Sequence, residues 1–319
     1  GNAGADTYVI QSGAGNDRIF TYEVGVDIIE YNGGPADMSD LTIEQVGANT
    51  RIISIVGSLT LVGITATELT AADFTFVNPL PSPTGNDVNT TLTAGNDIFV
   101  GDENDDIVDG LAGNDNIRGG IGDDELIGGE GNDLLNGGLG ADILNGGDGI
   151  DTVIYSLAST GVTINAINSA LNTGEAAGDT YISIERFTGS NGNDSITSGN
   201  ADNRLVGLGG DDLLIGAGGN DVLFGGNDND RLLGGTGDDV LHGQQGADTF
   251  VFQANAGNDT ITDFEDGVDI IEFRDLVTSF ADLTITQDGA DTVITSANGT
   301  LTLDNFNSTL LDASDFSFL

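Results

Sequence analysis

The sequence predicts an all-β chain built as tandem parallel coils of very short strands, with β-rich caps and a β insert between the coils. Three observations carry this expectation. A nine-residue phrase recurs in two long arrays, 50 glycines accompany 14 Phe, 5 Tyr and no Trp, and residues 1–77 align with 243–319 at a constant offset of 242. Such a composition cannot fill a thick core, so apolar groups must be buried in thin layers shared along a repeat.

The phrase is Gly-Gly-x-Gly-x-Asp-x-apolar-x, as in GGIGDDELI, GGEGNDLLN and GGLGADILN. Seven nonapeptides run from Leu92 to Ile154, and seven more run from Gly189 to Val251, with an out-of-step AGNDTIT behind them. Glycine at positions 1, 2 and 4 marks a tight turn, because only glycine takes left-handed backbone cheaply. The last three residues form the strand, and only its middle side chain points inward. Phe99, Val108, Ile117, Leu126, Leu135, Leu144 and Val153 therefore form one inner stack. Strands of about three residues cannot stand alone, so two nonapeptides make one coil, and repeats n and n+2 lie about 4.8 Å apart on one side.

Position 6 carries the chemistry. On that spacing Asp97, Asp115, Asp133 and Asp151 form one column, and Asp106, Asp124 and Asp142 form the other. The second array supplies Asp194, Asn203, Asp212, Asp221, Asp230, Asp239 and Asp248. Asp259 follows, and Asp6 and Asp17 stand at the matching places of the first copy. Carboxylates stacked this closely repel unless a cation lies between them. Carboxylates and turn carbonyls make an all-oxygen shell, which suits calcium with its six to eight flexible oxygen ligands at about 2.3–2.6 Å better than magnesium. An ion between each n, n+2 pair gives 7 − 2 = 5 per array, ten in all or more with the outlying residues.

The phrase GGxGxDxUx, with its calcium, resembles the RTX (hemolysin-type) repeat over residues 92–154 and 189–251. That resemblance implies tandem parallel β-rolls with calcium bound between turns, and export by a type I secretion system that reads an uncleaved C-terminal segment. The stretch Tyr155–Ser190 resembles the segments that interrupt such arrays in large secreted bacterial proteins. The array departs from the phrase at Asn104, Ala201 and Asp228, which replace the position-4 glycine, and at Asn203, which replaces the ligand aspartate. Ala tolerates left-handed geometry worst, so the turn around Ala201–Asn203 is expected to deviate most.

The domain order follows. Residues 1–78 are the end of a coil plus a β cap, 79–91 a Pro-rich stiff linker, 92–154 the first β-roll and 155–188 the β insert. Residues 189–262 are the second β-roll, and 263–319 the C-terminal β cap. The chain starts inside a nonapeptide at Gly1, with no leader there, so more coil or a neighbouring copy docked end to end is expected to precede it.

Composition excludes several functions. With 52 acidic residues against 7 arginines and a net charge of −45, nucleic acid and anionic membranes are not partners. The apolar window Ile52–Thr67 is interrupted throughout by Ser, Gly and Thr and reads as a strand, so no membrane insertion is expected. There is no cysteine, no HExxH or GxSxG motif, and one histidine, His242, at an outward strand position without partner ligands. No catalytic residue is therefore assigned. The expected function is a calcium-binding structural segment of a secreted or cell-surface bacterial protein of adhesin, fibre or surface-layer type, folding as calcium binds. The alternative is the C-terminal secretion and folding module of a type I-secreted lipase, protease or polysaccharide epimerase.

Overall fold

The computed structural model describes residues 7–11, 15–19, 28–32, 42–46, 48–54, 57–69, 74–77, 89–275 and 277–319. Among them the regular structure is nearly all strand, with only three-residue helical turns besides.

From residue 89 onward the chain winds as a parallel β-solenoid. The strand Asn116–Ile121 pairs in parallel with Leu134–Leu139, and Glu125–Glu130 with Ile143–Asp148, so each strand meets the one 18 residues on. Two nonapeptides therefore close one coil. The register places Ile117 on Leu135 and Leu126 on Leu144, and the predicted inner stack is buried throughout, Val108 to Val153 at 0 % exposure. In the second array Ile196, Leu205, Leu214, Leu223, Leu232, Leu241 and Phe250 continue the same core.

The two coils are not separated by the insert on both sides. One sheet of twelve strands runs from Ile98–Val100 through both arrays to the hairpin Thr284–Asp288 and Asp291–Thr295. It stays continuous because Arg186–Thr188, inside the predicted insert, pairs with Thr152–Ile154 on one edge and with Arg204–Gly209 on the other. On the opposite side the sheet does break. Five strands end at Thr180–Ile182, which pairs with Ile143–Asp148, and seven strands start again at Thr163–Asn165. The break falls where Ser195–Thr197 pairs with Thr163–Asn165 instead of with Thr180–Ile182; Ser183, Ile184 and Glu185 join Thr180–Ile182 to Arg186–Thr188, with Ser183 in left-handed backbone at φ 50°. The coil also begins early. Asn89–Thr91, at the end of the predicted linker, pairs with Ile107–Asp109.

The first solenoid strands follow a fixed sequence logic. Strands such as Asn116–Ile121 and Glu125–Glu130 run through the position-1 and position-2 glycines to the position-3 residue, six residues instead of the three expected, and the position-2 glycine takes left-handed backbone inside the strand, as at Gly129 with φ 111°. Asp228 takes that conformation at position 4 with φ 73°.

The offset of 242 is reproduced strand for strand. Thr7–Gln11, Ile28–Asn32 and Phe74–Val77 form a parallel sheet in that order. Thr249–Phe252, Ile270–Phe273 and Phe316–Phe318 do the same. In each copy a three-stranded antiparallel unit joins one parallel strand, Gly15–Ile19 against Gly57–Leu61 in the first and Gly257–Ile261 against Gly299–Leu303 in the second.

Candidate metal sites

Position 6 sits immediately before each strand, where its own backbone N–H points along the coil axis. That N–H donates to Oδ1 of the aspartate one coil further on: Asp97 to Asp115 at 2.8 Å, Asp106 to Asp124 at 2.8 Å, Asp115 to Asp133 at 2.7 Å, Asp124 to Asp142 at 2.9 Å and Asp133 to Asp151 at 2.8 Å. The second array repeats it, Asp194 to Asp212 at 2.7 Å, Asn203 to Asp221 at 2.7 Å, Asp212 to Asp230 at 2.9 Å, Asp221 to Asp239 at 2.8 Å and Asp230 to Asp248 at 2.8 Å. Asp239 donates to Asp259 at 3.0 Å. The ladder fixes each carboxylate and turns its second oxygen inward.

That second oxygen is left without a partner. Oδ2 of Asp115, Asp124, Asp133, Asp142, Asp151, Asp212, Asp221, Asp230 and Asp239 is buried and bonded to nothing. A buried carboxylate oxygen of this kind is costly unless something else satisfies it. Around it the chain keeps space. A Cβ added at Gly119 would run into both Asp124 Oδ2 and the carbonyl of Gly137, and one added at Gly128 would meet Asp133 Oδ2 and the carbonyl of Gly146. Glycine at position 1 is thus required by a cradle that any side chain would fill. Among the described residues no three acidic or histidine side chains converge on one point. The convergence is of one carboxylate oxygen with backbone carbonyls, an uncharged-plus-charged oxygen set that fits a hard cation such as calcium.

The electrostatics agree. Burial, partly offset by the ladder N–H and then reinforced by neighbouring carboxylates, raises Asp124 to about 7 and Asp212 to about 8 from 3.8. The same causes raise Asp221 and Asp230 to about 7 and Asp259 to about 8. A metal-free coil therefore resists ionising the groups that the repeat supplies at every turn.

Predicted residues at the column ends differ from those inside. Asp97 Oδ2 accepts from the Thr93 N–H at 2.8 Å and its hydroxyl at 2.7 Å. Asp194 accepts from the Ser190 N–H and hydroxyl and the Val162 N–H. Asn203 turns its Nδ2 to the carbonyls of Ile184 and Glu185, both at 3.3 Å, with Oδ1 unpartnered. Asp17 lies in the strand Gly15–Ile19, its side chain outside the described residues, and Asp6 falls outside them altogether. His242 stacks on Phe224 with ring centroids 4.2 Å apart, and its Nδ1 meets the Thr262 hydroxyl at 2.6 Å.

Three ladder members lie outside the sequence expectation. Asp179 Oδ1 takes the Asp142 N–H at 2.9 Å, Glu185 Oε2 takes the Asp151 N–H at 2.9 Å, and Asp269 Oδ1 takes the Asp248 N–H at 2.9 Å. Their segments keep at most one of the three turn glycines, Gly174 at position 1 before Asp179 and Gly267 at position 4 before Asp269. The surviving signal is an acid two residues before a large side chain of the core, half-buried in Asp179-Thr180-Tyr181 and buried in Glu185-Arg186-Phe187. A second ladder runs at position 5 in the opposite sense: Oδ1 of Asn114 accepts the N–H of Asn132, and Oδ1 of Asn220 accepts that of Asp238, both at 2.8 Å.

Fold and ladder together define a class, a parallel β-solenoid of nonapeptide turns lined with oxygen donors. Residues 92–153 and 188–261 are RTX calcium-binding nonapeptide repeats: the four-copy family model matches 92–126, 118–153, 188–223, 215–250 and 224–261. Among solved structures the chain is similar to the extracellular lipase LipA from Serratia marcescens, at 18 % identity and a TM-score of 0.33, covering 79 % of this chain and 46 % of that one. It is also similar to the AlgE6R3 subunit of the Azotobacter vinelandii mannuronan C5-epimerase, at 28 % identity and a TM-score of 0.22, covering 39 % and 77 %. The chain thus spans less than half of the lipase. No curated protein matched it in sequence.

Proposed function

We propose that this chain is a calcium-binding structural segment of a secreted bacterial surface protein, and that it folds as calcium binds. The observation that carries the proposal is the row of buried, unpartnered Oδ2 atoms facing glycine cradles and carbonyls. Asp115, Asp124, Asp133, Asp142 and Asp151 hold the ions of the first array, and Asp212, Asp221, Asp230 and Asp239 those of the second, with Asp106, Asp248 and Asp259 completing the columns. The bound ions supply positive charge inside a coil that otherwise stacks carboxylates. The protein's own residues do the rest: the ladder N–H groups orient Oδ1, and the glycines leave the ion room. Millimolar calcium outside the cell would drive the transition, because an ion that binds only the folded chain stabilises it by mass action.

The net charge of −45 and the periodic aspartates fit a role where millimolar calcium is present, as outside the cell. The domain organisation, with two capped coil ends 242 residues apart, suits a linear array in which copies or further repeats continue end to end. Export would use a type I secretion machinery. Circular dichroism in chelator and then in calcium tests the folding: coil must turn into sheet, and an unchanged spectrum overturns it. Mass spectrometry of the native secreted product, with electron microscopy in calcium, tests the role. An elongated multi-repeat product supports the surface segment, whereas a catalytic domain on the same polypeptide replaces that role with the secretion module of an enzyme.

A further inference from the structure

The stretch that joins the two arrays differs from them in what faces the buried second oxygen. Within the arrays Asp124, Asp133, Asp212 and Asp221 present an unpartnered Oδ2 to a glycine. At the junction protein hydroxyls take up one oxygen of each such cradle, a carboxylate oxygen on one side and a turn carbonyl on the other. On one side of the coil Asp179 follows Asp142 in the ladder, and its Oδ2 accepts from the hydroxyl of Tyr155, which also meets the Tyr181 hydroxyl at 2.7 Å.

The other side is closed by a different residue to the same end. Ser198 occupies position 1 of its nonapeptide, SGNADNRLV, where the neighbouring repeats have glycine. Its backbone N–H bonds the carbonyl of Ile215 at 3.0 Å, the counterpart of Gly110 bonding Ile127 at 2.7 Å, so its side chain enters the cradle. There its Oγ donates at 2.7 Å to the carbonyl of Gly216, the counterpart of the carbonyls that face Oδ2 elsewhere. Position 6 of this repeat is Asn203, which brings no charge.

Both hydroxyls are buried, Tyr155 at 1 % and Ser198 at 0 % exposure. A hydroxyl in such a place gives a carboxylate or carbonyl the partner that an ion would otherwise be, and a buried hydrogen bond of this kind is made without any solute. The surrounding core is also richer in aromatic side chains than the aliphatic stacks of the arrays on either side. Tyr155, Tyr181 and Phe187 belong to it, with Tyr181 and Phe187 edge to face at 5.4 Å.

We propose that the junction from Tyr155 to Val206 is an ion-independent clasp: Tyr155 and Ser198 take the place of calcium, so these turns stay closed when calcium is withdrawn and hold the two arrays on one sheet. This inference rests on the calcium reading of the arrays. It divides the ions into two blocks, the first ending at Asp151, whose unpartnered Oδ2 shares its glycine cradle with the Ser183 carbonyl, and the second starting at Asp212, with none at the Tyr155 and Ser198 positions between them.

Calcium stoichiometry and hydrogen exchange test it on the full chain. The double substitution Ser198→Gly with Asn203→Asp restores glycine and carboxylate together, and should bind one more ion than the natural chain. An unchanged stoichiometry overturns the clasp. In chelator, hydrogen exchange of the natural chain should leave protection over Thr180–Thr188 while Glu125–Glu130 and Arg231–Thr236 exchange freely, and Tyr155→Phe should remove the protection that remains. Uniform exchange along the whole chain in chelator also overturns it. These outcomes are separable from the calcium reading, since a natural chain that binds calcium across both arrays upholds that reading even when the clasp fails, and one that binds none sinks both.

Discussion

The backbone N–H of Asp115 donates to Oδ1 of Asp133 at 2.7 Å, and the N–H of Asp133 donates in turn to Oδ1 of Asp151 at 2.8 Å. Each aspartate is therefore both donor and acceptor in one chain of bonds along the coil, and each keeps one oxygen in reserve. Cooperativity between turns follows from this geometry, because an ion at one Oδ2 fixes a carboxylate that orients its neighbour.

Interior and terminal aspartates should differ in calcium bound. Asp133 has an unpartnered Oδ2 and neighbours on both sides, whereas Asp97 Oδ2 is already held by Thr93. Asp133→Ala is expected to lower the number of ions by up to two and Asp97→Ala by one at most, read by titration calorimetry. Equal losses would argue for independent turns.

Filling a cradle should act like removing a ligand. Gly128→Ala would push a methyl group into Asp133 Oδ2 and the carbonyl of Gly146, while a Cβ at Gly199 meets nothing within 4 Å. The first substitution is expected to cost about 1–3 kcal/mol and weaken calcium binding, the second almost nothing. Thermal melts of both variants in saturating calcium check this; comparable melting points would refute the cradle.

The thin core should be as sensitive as a thick one. Leu135 is fully buried between its coil neighbours, and Leu139, four residues on, is 50 % exposed. Leu135→Ala should destabilise the calcium-loaded coil by about 2–5 kcal/mol. Leu139→Ala should fall within about 0.5 kcal/mol of the natural chain. Denaturant unfolding at fixed calcium distinguishes them, and similar midpoints would contradict the layered core.

Acid should favour the metal-free fold. Burial first, then adjacent carboxylates, raises Asp124 to about 7 and Asp212 and Asp259 to about 8, above their value of 3.8 in an open chain. A carboxyl whose value rises on folding is protonated in the coil while still ionised in the unfolded chain, so folding takes up protons. Its unfavourable contribution is absent below the unfolded value and grows as pH climbs toward the folded one. In chelator, sheet content should be higher near pH 4 than near pH 8, and calcium added near pH 8 should release protons from any carboxyl still protonated. A chelated chain with more sheet near pH 8 would reverse the sign.

The sequence by itself determined the coil. A period of nine with one inward residue per strand leaves only one way to bury Ile117, Leu126 and Leu135, and the position-6 acids then fall into columns whatever else the chain does. The repeated caps were equally legible, because an ungapped offset of 242 preserves every strand pairing. Tertiary structure decided the seam. Asp179 and Glu185 join the ladder from a segment without the glycine phrase, since a three-residue turn at Ser183–Glu185 brings Arg186–Thr188 onto the edge of Thr152–Ile154. Nothing local in GDTYISIERFT fixes that register; it is set by the open sheet edge that the first array presents and by Phe187 stacking on Val153 and Leu205. For the same reason the roles of Tyr155 and Ser198 are invisible in the chain alone: a hydroxyl replaces an ion only when folding carries it to the carboxylate or carbonyl that needs it.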